Sequence, residues 1–121
     1  MVVAGYLGSL GHSPYRLRTG DVKGRRMVAY VIVDIEVTNP ALFEGYKNAI
    51  GANIAVFGGR YLTRGGATEI LEGNWTPKRL VILEFPTMAR LKEWYNSPEY
   101  APLLSLRKAS SSSNLVITDG I

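Results

Sequence analysis

From Met27 to Val37 the chain alternates, with Ala29, Val31, Val33, Ile35 and Val37 on one side and Tyr30, Ile32, Asp34 and Glu36 on the other. β-Branched residues in a period of two predict a strand with one aliphatic and one mixed face. At Thr38-Asn39-Pro40 the period changes, because a capping oxygen followed by proline at the first helical position starts a helix. Leu42, Phe43, Tyr46, Ile50, Ile54 and Phe57 recur at helical spacing until Gly58-Gly59 closes the segment. Leu42, Tyr46 and Ile50 are expected on its buried stripe.

Arg60 to Arg64 reads as a second strand, Gly65-Gly66 as a turn, and Ala67 to Leu71 as a further extended piece running toward Glu72-Gly73. Asn74 to Pro77 reads as a loop. From Arg79 to Phe85 alternation returns, with Leu80, Ile82 and Glu84 on one face and Arg79, Val81, Leu83 and Phe85 on the other. A helix follows from Pro86-Thr87 through Leu91, Trp94 and Tyr95, broken at Ser97-Pro98, and a helical turn resumes at Pro98-Glu99 and reaches about Lys108. Ser110 to Ser113 reads as a short linker before a last strand, Leu115 to Asp119.

The order β-α-β-β-α-β predicts an α+β fold, a ferredoxin-like sandwich whose four-stranded antiparallel sheet carries two main helices on one face. Tyr30, Ile32, Leu80 and Ile82 then lie on the uncovered face, too apolar to stand bare. A second copy packed sheet to sheet is the expected cover, giving a homodimer with a partly hollow interior in which Asp34 and Glu84 are enclosed.

Charge sharpens the division of the chain. Of 14 basic and 10 acidic residues, Arg16, Arg18, Lys23, Arg25, Arg26 and Asp21 lie in residues 1–26, leaving nine of each sign in 27–121. The net charge of +4 therefore belongs to an N-terminal arm, and the balanced body gives no reason to expect nucleic acid as a partner. The arm, rich in glycine, is either a non-native or upstream-start extension with Met27 as the natural beginning, or a true extension that packs across a partner subunit. Residues 27–121 are expected to form a single ferredoxin-like domain. The opening residues lack the pattern of a signal peptide, and no apolar run reaches the length of a membrane span, so no membrane partner and a cytoplasmic location are expected. With no cysteine and one histidine, His12 in the arm, the chain offers no thiolate nucleophile and no Ser-His-Asp set in its body, and neither a metal site nor a cofactor is expected.

The motifs Tyr30-Val31-Ile32-Val33-Asp34, Tyr46-Lys47, Gly58-Gly59-Arg60-Tyr61-Leu62, Arg64-Gly65-Gly66 and Leu71-Glu72-Gly73-Asn74-Trp75 occur in this order. Pro77-Lys78-Arg79-Leu80-Val81, Leu83-Glu84-Phe85-Pro86 and Trp94 to Tyr100 continue the series. As a set, over about residues 27–119, they resemble a family of small bacterial proteins, domain of unknown function 1330, in the dimeric α/β-barrel superfamily. The resemblance implies the same fold and a homodimer, and it names no reaction. That superfamily includes cofactor-independent monooxygenases, isomerases and lactone-handling enzymes, while its haem-dependent members use an axial histidine without counterpart in the body.

Candidate chemistry rests on three groups. Arg64, Glu72 and Trp75 flank one extended segment and are expected to meet in a cleft, the guanidinium binding an oxygen, the carboxylate acting as acid or base and the indole forming a wall. A structural alternative has Arg64 pair with Glu72 while Trp75 covers an edge of the core. Asp34 and Glu84 are expected as neighbours, two carboxylates that raise one pKa into the range of a general acid, or else an ionic network with Arg64, Arg79 or Arg107. Arg79 is expected to stabilise developing negative charge and Tyr46 to reach the cleft mouth. Trp94, Tyr95 and Tyr100 read as packing. Two functions follow: a cofactor-independent oxygenase- or isomerase-like enzyme acting on a small oxygenated organic ligand, or a non-catalytic dimeric ligand-binding or stress-associated module.

Overall fold

The computed structural model describes residues 27–121; the N-terminal arm, with His12, lies outside the described residues. Their elements are β1 (Ala29–Val37), α1 (Pro40–Val56), β2 (Arg60–Arg64), β3 (Leu80–Phe85), α2 (Met88–Tyr95), α3 (Ala101–Ser110) and β4 (Ser111–Asp119). The strands form one antiparallel sheet in the order β2-β3-β1-β4, the ferredoxin-like arrangement. β1 runs down the middle, where its β-branched alternation satisfies both neighbours: Ala29 stands opposite Phe85 on β3 and Asp119 on β4.

Local chemistry sets the helix starts. The Asn39 side chain accepts from the Leu42 amide at 3.1 Å, and the Thr87 hydroxyl from the Arg90 amide at 3.0 Å. The turn after α1 uses Gly58 at φ 82°, and Gly59 leaves no room for a side chain, since a Cβ there would lie 2.6 Å from Ile54 and Phe85.

All three helices cover the sheet face built by Ala29, Val31, Val33, Ile35, Val81, Leu83 and Phe85, and the core lies there. α1 buries Phe43, Tyr46, Ile50 and Ile54, a stripe rotated from the expected one, so that Leu42 is exposed rather than buried. The break at Ser97-Pro98 lets Tyr100 stack on Trp94 with ring centres 4.2 Å apart, and the Trp94 indole donates to Asn53 Oδ1 at 2.8 Å. Among the described residues no helix is long and apolar enough to cross a membrane.

Two local expectations are overturned. Ala67 to Leu71 is not extended sheet: the chain leaves β2 at Gly65, φ 73°, and runs exposed with no strand to pair with. The four serines are no linker either. α3 ends on Ser110 and β4 begins on Ser111, with no connecting residue between them. Ser110 Oγ donates to the Leu106 carbonyl at 2.7 Å, while its own carbonyl accepts from the Thr38 and Asn39 amides at 2.9 and 3.0 Å. Small hydroxyl side chains suit this junction because they satisfy backbone groups that a helix end leaves open.

Candidate functional site

Between the sheet and the helices α1 and α3 lies a small cavity of about 30 Å³. A void of this size holds about one or two waters, or one group of carboxylate size. Val31, Val33, Ile35, Phe43, Ile50 and Leu83 give it an apolar floor; Tyr46, Tyr61, Tyr100, Lys47, Arg64, Arg79 and Arg107 give it polar walls. Among the described residues that line it there is no Asp, Glu, His or Cys.

Each polar wall has a local cause. Tyr46 sits on the buried stripe of α1, and Tyr100 at the entry of α3. Arg107 shares their environment one element on: it lies seven residues after Tyr100, on the same face of α3, and is 3% exposed. Its Nη1 donates to Ser113 Oγ, its Nη2 reaches the Tyr100 hydroxyl at 3.5 Å, and its Nε has no partner. Among the described residues no carboxylate pairs with it. Arg79 shares the inward face of Val81, half-buried, with its guanidinium packed against Gly65 and 6.0 Å from the centre of the Phe43 ring. Gly65 matters twice here, for its positive φ and because a Cβ would press on that guanidinium at 3.1 Å.

Arg64 reaches the cavity by an irregularity. Tyr61 pairs with Leu83 and Arg64 with Val81, both inward-facing, because the register shifts between Tyr61 and Thr63. Three residues apart in a regular strand, the two would face opposite ways; the bulge brings them together. The Arg64 guanidinium stacks 4.5 Å from the Tyr61 ring centre and donates to the Lys47 carbonyl at 2.8 Å.

Burial pushes the Tyr46 hydroxyl well above its ordinary pKa, and neighbouring Tyr100 adds to this against the Arg107 charge. Tyr61 and Tyr100 are raised by burial too. At neutral pH all three are uncharged O–H donors, not bases.

The acidic candidates lie elsewhere, on the face that none of the described helices covers. Asp34 stands opposite Leu80, whereas Glu84 stands opposite Tyr30, four positions along the strand. The expected pair of neighbouring carboxylates therefore does not form: four residues of strand separate them by about 13 Å. Asp34 instead holds the incoming loop. Its Oδ2 accepts from the Trp75 indole at 3.0 Å and its Oδ1 from the Lys78 and Arg79 amides at 2.8 and 3.1 Å. Burial alone would raise its pKa, but these hydrogen bonds and the Lys78 charge outweigh it, and the net shift is downward. Glu84 is paired with Arg60 at 2.9 Å across β2 and β3, not with Arg64, Arg79 or Arg107.

Nor do Arg64, Glu72 and Trp75 converge. Arg64 turns inward, Trp75 lies with Asp34 in a groove on the opposite face lined by Ile32, Leu80, Asn114 and Val116, and Glu72 is exposed in the loop. The cavity that Arg64 enters lies within one chain, on the helix side, and not on the sheet face where a second copy was expected to pack. Of the sequence candidates, Tyr46, Arg64 and Arg79 meet there. Tyr61, Tyr100, Arg107 and Ser113 were missed as site residues, although Tyr100, Leu103, Leu104 and Arg107 follow the spacing of one helical face.

Residues 28–121 match the family described as Domain of unknown function (DUF1330). The chain belongs to that family. No curated relative matches it. Among solved structures this DUF1330 chain is similar to a protein of unknown function from Rhodopseudomonas palustris, with a TM-score of 0.67 and 16% identity over 95% of this chain and 98% of that one. It is also similar to SnoaB, a cofactor-independent oxygenase from Streptomyces nogalater, with a TM-score of 0.56 and 14% identity over 78% of this chain and 94% of that one. A Bacteroides thetaiotaomicron protein of unknown function, described as a possible oxidoreductase, gives a TM-score of 0.53 and 12% identity over 78% and 99% of the two chains. At such identities the likeness is one of fold: this DUF1330 chain shares its ferredoxin-like arrangement with these structures.

Proposed function

We propose that this protein is a homodimeric enzyme that acts without a cofactor on a small oxygenated organic molecule, in oxygenase- or isomerase-type chemistry. The observation that carries the reading is the inner cavity, where neutral tyrosine hydroxyls and guanidinium groups surround an apolar floor. Such a lining favours the oxyanion of an enolisable or phenolic compound over its neutral form, because fixed donors in a water-poor space stabilise charge as it develops. Tyr46 donates to that oxygen, and Arg64 and Arg79 hold the mouth. The likeness to SnoaB supports this chemistry by analogy of fold alone.

The dimer is proposed from the other face. Tyr30, Ile32, Leu80 and Ile82, with Val116 59% exposed, form an apolar surface on a sheet face that no helix among the described residues covers. A second copy packed on that surface buries it, leaving the inner cavity of each subunit intact.

One observation favours a second reading, a non-catalytic ligand-binding module: no group lining the cavity is a base at neutral pH. The test is aerobic incubation of purified protein with enolisable and phenolic compounds, without added metal or cofactor, beside native mass spectrometry. The enzyme reading expects turnover that falls at least tenfold in Tyr46→Phe, on the scale of losing one oxyanion donor. A retained organic adduct with no turnover of any compound would reject it in favour of the binding module.

A further inference from the structure

We infer that the inner cavity is a carboxylate site, with Arg107 as its anchor. The inference deepens the proposed function, on which it rests for the location of the ligand, and adds the chemical class of that ligand.

Among the described residues Arg107 is a cation taken out of water without a counter-charge. It is 3% exposed, its neighbours Ser113 and Tyr100 offer only hydroxyls, and Nε has no partner at all. A buried cation is normally matched by an acid. Among the described residues both ion pairs lie elsewhere, Arg60 with Glu84 and Arg90 with Glu93. Nor do the cavity walls compensate: among the described residues they add Lys47, Arg64 and Arg79 and include no acid. Four cations thus surround one small space, and an anion from outside is the missing partner.

The shape of the donors selects the anion. An Nε–H beside an Nη–H is the edge of guanidinium that engages the two oxygens of a carboxylate side by side. The void itself accepts one such group, its floor is hydrocarbon, and the body attached to that group extends toward the mouth. A carboxylate joined to a short apolar body fits both. A phosphate or sulfate ester suits the apolar floor less well, since its remaining oxygens would face side chains that cannot hydrogen-bond. Arg64 and Arg79, less buried, form the path along which the anion enters and stabilise its outer oxygen.

The test is a titration with sodium acetate and sodium benzoate at constant ionic strength, following the arginine Nε–H signals by nitrogen–proton correlation spectroscopy. The expected result is a saturable shift of one Nε–H signal, absent from Arg107→Met, that acetamide and chloride do not reproduce. Arg79→Gln, a change nearer the surface, should weaken the response roughly tenfold, the scale of one hydrogen bond to a charged group. It keeps the test decisive if Arg107→Met fails to fold. The inference is overturned if chloride acts as well as acetate, or if Arg79→Gln leaves a carboxylate response unaltered. If benzyl alcohol or another neutral oxygenated compound shifts the cavity signals while carboxylates do not, the carboxylate assignment fails and the proposed function stands. If nothing shifts them, both fail.

Discussion

Tyr61 and Arg64, three residues apart on one strand, face the same cavity, with the guanidinium 4.5 Å from the centre of the ring. The register shift between Tyr61 and Thr63 makes this possible, and it has a direct test. Deleting Leu62, an exposed residue in the shifted stretch, removes the extra residue, restores regular pairing and leaves Tyr61 and Arg64 two positions apart, both still facing inward. The variant is expected to fold, with a melting temperature lowered by roughly 4–8 °C for each kcal/mol lost, and to keep the Arg64 contact to the Lys47 carbonyl. Proton spectra of the Tyr61 ring report it: loss of the guanidinium from the ring in the deletion variant would contradict the reading of Leu62 as the extra residue.

Arg107→Met separates stability from binding. A single apolar side chain of similar length removes the unmatched charge and strands no carboxylate, so stability should stay level or rise by about 1 kcal/mol. Removing one member of a true buried ion pair costs about 3–5 kcal/mol instead. Urea denaturation distinguishes the two, and a loss on the larger scale would mean that Arg107 is held by a partner acid.

Asp34 governs the loop that carries Trp75. In Asp34→Asn one end of the carboxyl becomes a donor facing other donors, so part of the three-bond clamp is lost, at a cost of about 1–3 kcal/mol. Because the folded pKa is lowered, the ionised carboxylate contributes stability that is fully present above its ordinary value of 3.8. That contribution is lost as the pH falls through the lower folded value. Trp75 indole fluorescence, followed against pH in wild type and Asp34→Asn, should change in the wild type only below pH 3.8.

Ile82→Asp probes the helix-free face. Its side chain lies outside the core, so the subunit should fold, with secondary structure by circular dichroism unchanged. Sedimentation should show a dimer for the wild type and a monomer for the variant at micromolar concentration. A wild-type monomer would remove the proposed assembly but not the inner cavity.

The ferredoxin-like order was readable because each part of it has a local cause. The two periods, the Asn39 and Thr87 caps and Gly58-Gly59 all act within a few residues. The site was less readable because its causes are long-range. Alternation places Arg64 on the wrong side unless the bulge is known, and nothing local announces a bulge. Asp34 and Glu84 share a face, but only the register of β1 with β3 fixes their separation. A run of four serines reads as a spacer until the Leu106 carbonyl and the Arg107 guanidinium are seen to need hydroxyl partners.

Arg79 crosses the sheet: its amide is tied to Asp34 on one side while its guanidinium stands in the cavity on the other. The Lys78–Arg79 peptide is thus a rivet through the molecule, with Trp75 as its outer head and Arg79 as its inner tip. Loosening it from outside shifts a cation indoors, so the chain has one wall in common between its public surface and its private room.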